Sequence, residues 1–168
     1  VFNVITGIYK PSKGKVIFDG KDITGLELHF VAKNGIVRTF QLTTLFSGLS
    51  VLENVLIGLQ LVSRIGFWDA LSNSRSNHRK EKELKERAME ILGFMGLANF
   101  KDEKAKNLPY GLQKALSISV ALASKPKVLL LDEPLTGMNP KEVSEMINLI
   151  RLARDREKLT IVIVEHNM

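Results

Sequence analysis

Two apolar runs that end in acids, Lys127-Val-Leu-Leu-Leu-Asp132 and Leu159-Thr-Ile-Val-Ile-Val-Glu165, constrain the fold more than any other feature of the chain. Each is continuous rather than alternating, the pattern of a strand covered on both faces. Between them, Lys141 to Arg156 puts Val143, Met146, Ile147 and Ile150 on one stripe, the spacing of an amphipathic helix. Strand, helix and strand within about 30 residues make one βαβ unit, which requires a parallel sheet. The chain is therefore expected to be α/β.

The remaining segments fit around that unit. Val1 to Tyr9 is a short apolar segment with a glycine suited to a helix C-terminus. Gly14-Lys-Val-Ile-Phe-Asp-Gly-Lys-Asp-Ile23 alternates around an Asp-Gly turn signal, and Gly35-Ile-Val-Arg-Thr-Phe40 is a further strand. Apolar residues thicken into a helix from Val51 to Leu61, after which the polar, serine- and asparagine-rich stretch Ser63 to Lys82 reads as a surface excursion. Leu84, Ala88, Ile91, Leu92 and Met95 then recur at helical spacing up to a stop near Gly96. Gln113 to Ser124 is apolar nearly all round, as a helix buried on several sides must be.

Composition narrows the function classes. With 168 residues, 45% of them hydrophobic, the chain can bury a core. It has no cysteine, which excludes disulfide frameworks and thiolate metal sites. The net charge of +6 is spread among acids rather than gathered in one block, so no nucleic-acid partner is expected. No apolar stretch approaches the ~20 residues needed to span a bilayer, so any membrane association is expected to be peripheral.

In open α/β sheets ligands sit beyond the carboxyl ends of the strands, where Asp132-Glu133 and Glu165-His166 stand. An apolar strand closed by Asp-Glu is the arrangement of phosphate-loop ATPases: one acid holds Mg²⁺ through water, and the next orients or deprotonates the attacking water. Taken alone, the same residues read equally well as a turn capped before Pro134.

Spacing adds context. Pro134, then Gly137-Met-Asn-Pro140, then a helix, then a strand ending at His166 follow in order. In this the chain resembles the ATP-binding subunit of an ABC transporter. Arg38-Thr-Phe-Gln41 resembles the Q-loop and Asn107-Leu-Pro-Tyr-Gly111 the signature loop. Val128 to Glu133 resembles the Walker B strand, Gly137 to Pro140 the D-loop, and His166 the switch histidine. The Arg-Thr-Phe-Gln, Leu-Pro-Tyr-Gly and Gly-Met-Asn-Pro variants are most similar to ATPases of branched-chain amino-acid importers. A lipid- or lipopolysaccharide-exporting ATPase is the neighbouring alternative.

The resemblance implies a P-loop NTPase core of ABC type, a parallel sheet with flanking helices carrying an inserted α-helical subdomain, cut at both ends. Residues 1–41 would belong to the core, 42–124 to the helical subdomain with the signature, and 125–168 to the core again. It also implies roles. Glu133 would be the general base, Asp132 would hold Mg²⁺ through water, and Gln41 would complete the metal and water shell. His166 would donate to the γ-phosphate of ATP. Leu108, Pro109, Tyr110, Gly111 and Gln113, with Asn139 of the D-loop, would face nucleotide. Partners would be a second ATPase subunit, identical or paralogous, and transmembrane permease subunits contacted near Gln41 to Gly58, at the cytoplasmic face of the membrane.

Three departures from the family pattern stand out. Leu112 occupies a position where glutamine is usual, Lys114 one where arginine is common, and Asn139 one where many members have aspartate. No Gly-x-x-x-x-Gly-Lys-[Ser/Thr] occurs in the 168 residues, so these residues alone are expected to bind ATP poorly. That absence keeps open a non-hydrolysing interaction fragment as a further alternative.

Overall fold

The computed structural model describes residues 1–39, 45–62 and 75–165, without the side chains of 61–62 and 75–78. Its centre is a three-stranded parallel sheet of β3 (Ile36–Thr39), β4 (Val128–Asp132) and β5 (Thr160–Val164), in the order β3-β4-β5. The hairpin β1 (Ile17–Phe18) and β2 (Lys21–Asp22) stands apart from it. Asp19 and Gly20, with φ of 48° and 75°, make its two-residue turn, as the Asp-Gly signal requires.

Strand β4 shows why a continuous apolar run was needed. Alternate side chains of a strand leave opposite faces. Leu129 and Leu131 enter one apolar cluster, and Leu130 enters another with Phe2, Ile23, Val31 and Ile36. The first cluster is the larger. After the short helices α1 (Phe2–Ile5) and α2 (Leu28–Lys33), the chain closes it with α3 (Val51–Val62), α4 (Arg75–Phe94), α5 (Tyr110–Ala123) and α6 (Pro140–Glu157).

The helices bury apolar stripes: Val51, Leu52, Val55 and Leu59 from α3; Ala88, Ile91 and Leu92 from α4, with Met95 just beyond its end; and Met146, Ile150 and Ala153 from α6, where Val143 and Ile147 of the expected stripe are only half-buried. Helix α5 buries residues nearly all round, as expected, and α3 crosses it closely at Gly58. A Cβ built there would lie 2.7 Å from the Val120 carbonyl oxygen.

Helix ends follow local chemistry. Ser50 and Glu53 form a reciprocal capping box at α3, with Glu53 N–H donating to Ser50 Oγ at 3.2 Å and Ser50 N–H to Glu53 Oε2 at 2.7 Å. Two features differ from expectation. Helix α4 begins at Arg75, inside the stretch read as a surface excursion; its exposed first turns are supported by the i,i+4 ion pairs Arg79–Glu83 and Lys82–Glu86 rather than by an apolar face. Helix α2 (Leu28–Lys33) carried no periodic signal: it has six residues, no side-chain cap, and only Val31 buried. Among the described residues no helix is long and apolar enough to cross a membrane.

Candidate active site

The parallel strands open their carboxyl ends on one edge of the sheet. Thr39 pairs with Leu131 and Asp132 with Val164, so the chain leaves β3, β4 and β5 side by side. Gln41 and His166 follow β3 and β5 but lie outside the described residues. Asp132 and Glu133 are placed at this edge, as expected.

Asp132 is held by Arg38. The guanidinium of this β3 residue pairs with Asp132 Oδ2, donates to Asn3 Oδ1 at 2.6 Å and lies over the Phe2 ring, 5.6 Å from its centroid. Both members of the ion pair are largely shielded, with side chains 10% and 19% exposed. In the sequence Arg38 stands out only as part of the Q-loop motif. Its partner is 94 residues away, and nothing local announces the pairing.

Glu133 sits where the strand breaks into the loop, with a left-handed φ of 47° that non-glycine residues rarely adopt. Its N–H donates to the Val164 carbonyl of β5 at 2.9 Å, and its own carbonyl accepts from Lys114 Nζ of α5 at 3.0 Å. Thr136 Oγ1 donates to its carboxylate at 3.4 Å. Glu165, noted from sequence only as a strand-end acid, accepts the Leu135 N–H at 2.9 Å and so braces the loop after Pro134.

The segment read as the signature loop reaches this edge through the first turn of α5. Leu108 is buried, with 5% of its surface exposed, whereas Tyr110 is 45% exposed. Gln113 folds back to donate to the Leu108 carbonyl at 2.8 Å, which shapes the turn around Pro109. Leu112 packs its side chain against the larger apolar cluster. The segment just before the loop is laced to the start of α3: Ala105 N–H donates to the Leu49 carbonyl and Val51 N–H to the Glu103 carbonyl, each at 2.9 Å. Asn139 caps α6, its Oδ1 accepting from Lys141 and Glu142 N–H at 3.0 Å, and Glu142 returns a bond to the Asn139 N–H.

Among the described residues no group of three or more His, Cys, Asp or Glu side chains gathers to hold a metal. The strand-end carboxylate still suits Mg²⁺, which takes one or two protein carboxylates and completes its shell with waters and substrate phosphates.

A family model described as ABC transporter matches residues 1–136. The chain belongs to the ABC transporter family. It is 37% identical, over its whole length, to the high-affinity branched-chain amino acid transport ATP-binding protein LivG of Escherichia coli K12, and spans 66% of that protein. Among solved structures, the ATP-binding cassette MJ1267 of an ABC transporter superposes with a TM-score of 0.80 at 34% identity, covering 99% of this chain and 65% of that one. A dimeric post-hydrolysis state of the cassette MJ0796, bound to ADP and Pi, matches with a TM-score of 0.72 at 26% identity, covering 98% and 68%. The α/β core with flanking helices is therefore an ABC cassette fold.

Proposed function

We propose that this chain is the nucleotide-binding and ATP-hydrolysing part of an importer that energises uptake of branched-chain amino acids. The observation that carries the reading is the placement of Asp132 and Glu133 at the carboxyl end of the central strand, on the edge from which the chain leaves toward Gln41 and His166. The solute is supported by the likeness to LivG, a branched-chain amino acid transport ATP-binding protein.

In this reading residues 1–41 and 125–168 form the nucleotide-facing core, and 42–124 the helical subdomain that meets the permease. Asp132, with Gln41, would hold Mg²⁺ through water, and that ion would neutralise charge on the β- and γ-phosphates. Glu133 takes the proton of the attacking water, a role that demands a carboxylate fixed within hydrogen-bond reach. His166 donates to the γ-phosphate as the bond to the leaving group loosens. Leu108 to Gly111, Gln113 and Asn139 meet the nucleotide of a second subunit, where the N-terminus of α5 favours an anion. The exposed Tyr110 and the dimeric MJ0796 structure support that shared site. The assembly is a pair of such subunits, identical or paralogous, bound to transmembrane permeases at the cytoplasmic face.

The test is hydrolysis by the protein extended N-terminally to include a Gly-x-x-x-x-Gly-Lys-[Ser/Thr] loop, compared with Glu133→Gln. Turnover is expected to fall about 10²- to 10⁴-fold, while ATP binding and dimer formation persist. Residues 1–168 alone are expected to show no hydrolysis above background, because phosphate positioning supplies most of the catalysis. Hydrolysis by Glu133→Gln at the parental rate would remove Glu133 from the role of base.

A further inference from the structure

We propose that Lys114 is a positioning residue for Glu133, clamping its peptide from the signature helix so that the carboxylate points where the water must be. The inference rests on the reading of Glu133 as the base. The left-handed conformation at Glu133 carries it first. A non-glycine residue stays at a φ of 47° only when its surroundings over-determine it. Two contacts do so here, one on each side of the Cα. The N–H is tied to the Val164 carbonyl of β5 at 2.9 Å, which limits φ. The carbonyl is tied to Lys114 Nζ at 3.0 Å, which limits ψ. With both dihedrals held, the direction of the Cα–Cβ bond is set and only side-chain torsions remain.

Among the described residues the other backbone donors near that carbonyl hold it less well. Pro134 has no N–H to donate, and the Thr136 N–H reaches the carbonyl only at 3.4 Å. An ammonium donor is also a charge-assisted one, stronger than a neutral amide.

Lys114 is itself placed by the signature turn. Its Nζ stands 5.5 Å from the centroid of the Tyr110 ring, one helical turn earlier. Tyr110 in turn lies against Gly137, where an added Cβ would come within 3.2 Å of Tyr110 Cε1. Gly137, with φ of 82°, therefore has both a conformational and a steric reason to be glycine. The chain of contacts runs from the signature turn through one ammonium to the backbone of the base, so the seat of Tyr110 sets the aim of Glu133.

The experiment uses the protein extended N-terminally to include a Gly-x-x-x-x-Gly-Lys-[Ser/Thr] loop, with Lys114→Met, Lys114→Arg and Glu133→Gln measured side by side. Lys114→Met is expected to lower kcat about 10- to 100-fold, the range over which small misplacements of a reacting group act, with KM for ATP unchanged. Lys114→Arg, which keeps a cationic donor, is expected to restore most of the loss. Amide hydrogen exchange gives a second readout: Lys114→Met should speed exchange at Glu133 and Leu135 and leave the interior of α5 protected. Unchanged kcat in Lys114→Met beside an inactive Glu133→Gln overturns the proposal and spares the role of Glu133. A raised KM with kcat intact also overturns it, since Lys114 would then serve binding alone. Activity in Glu133→Gln would sink the reading beneath it instead. Should Lys114→Met unfold, the exchange pattern of Lys114→Arg decides: protection kept at Glu133 supports the clamp, and protection lost there in a folded protein refutes it.

Discussion

Removing the guanidinium of Arg38 tests whether Asp132 is held in place by charge. Two unit charges about 4 Å apart attract by about 4 kcal/mol at an effective dielectric near 20. Desolvation offsets much of this, since the two side chains keep only 10% and 19% of their surface in water. Arg38→Met leaves Asp132 without its cation and forfeits the bond to Asn3 and the stacking on Phe2. Breaking a fully buried pair costs about 3–5 kcal/mol, and the residual exposure of Asp132 lowers the expectation to about 2–4 kcal/mol. Asp132→Asn keeps an acceptor oxygen and should cost less. Equilibrium urea unfolding of both single variants and the double variant gives a coupling energy, expected at about 1–2 kcal/mol. Because the pair is shielded, raising the salt to about 0.5 M should reduce that coupling only slightly. Additive single effects, with coupling below about 0.3 kcal/mol, would show that the two charges merely lie near each other and that Arg38 acts through its other contacts, those to Phe2 and Asn3 among them.

Two further outcomes follow from the packing and the surface charges. Gly58→Ala should lower the unfolding midpoint, because the new methyl meets the Val120 carbonyl oxygen at 2.7 Å and Ala123 Cβ at 3.0 Å; overpacking of about 1–3 kcal/mol exceeds the helix-propensity gain of about 1 kcal/mol, and an equal or higher midpoint refutes the close crossing. Glu90 accepts from Arg87 at 2.7 Å and from Arg156 at 3.0 Å, and the Arg87 hydrogen bond first, then that of Arg156, holds its carboxyl below the ordinary glutamate range. A group with a depressed folded value adds stability at neutral pH that is lost as the pH falls through that value. Glu90→Gln should therefore flatten part of the acid limb of a stability-against-pH profile, and an unchanged limb would exclude Glu90 from it.

Much of the fold is legible in the sequence because its signals are local. The runs at 127–132 and 159–165, with the stripe of Val143 to Ile150 between them, specify a parallel βαβ unit without knowledge of any partner. The Asp19-Gly20 turn works within four residues of chain. The order of five short motifs also exposes the family, since each needs only residue type and spacing. Helix α2 escaped the reading because its one buried residue, Val31, leaves no period to detect.

What only the tertiary structure decided is how the site is held. A continuous apolar strand does not say which of its faces meets which core, and Leu129 and Leu130 part company only once helices cover the sheet. Sequence placed Asp132 and Glu133 at a strand end, but their keepers come from elsewhere: Arg38 from a neighbouring strand and Lys114 from the signature helix. An ion pair across 94 residues has no signature in either segment, because its energy arises only when folding brings both charges out of water together. Residue type and spacing determined which groups stand at the site; the packing of α5 and β3 against β4 determined which way they face.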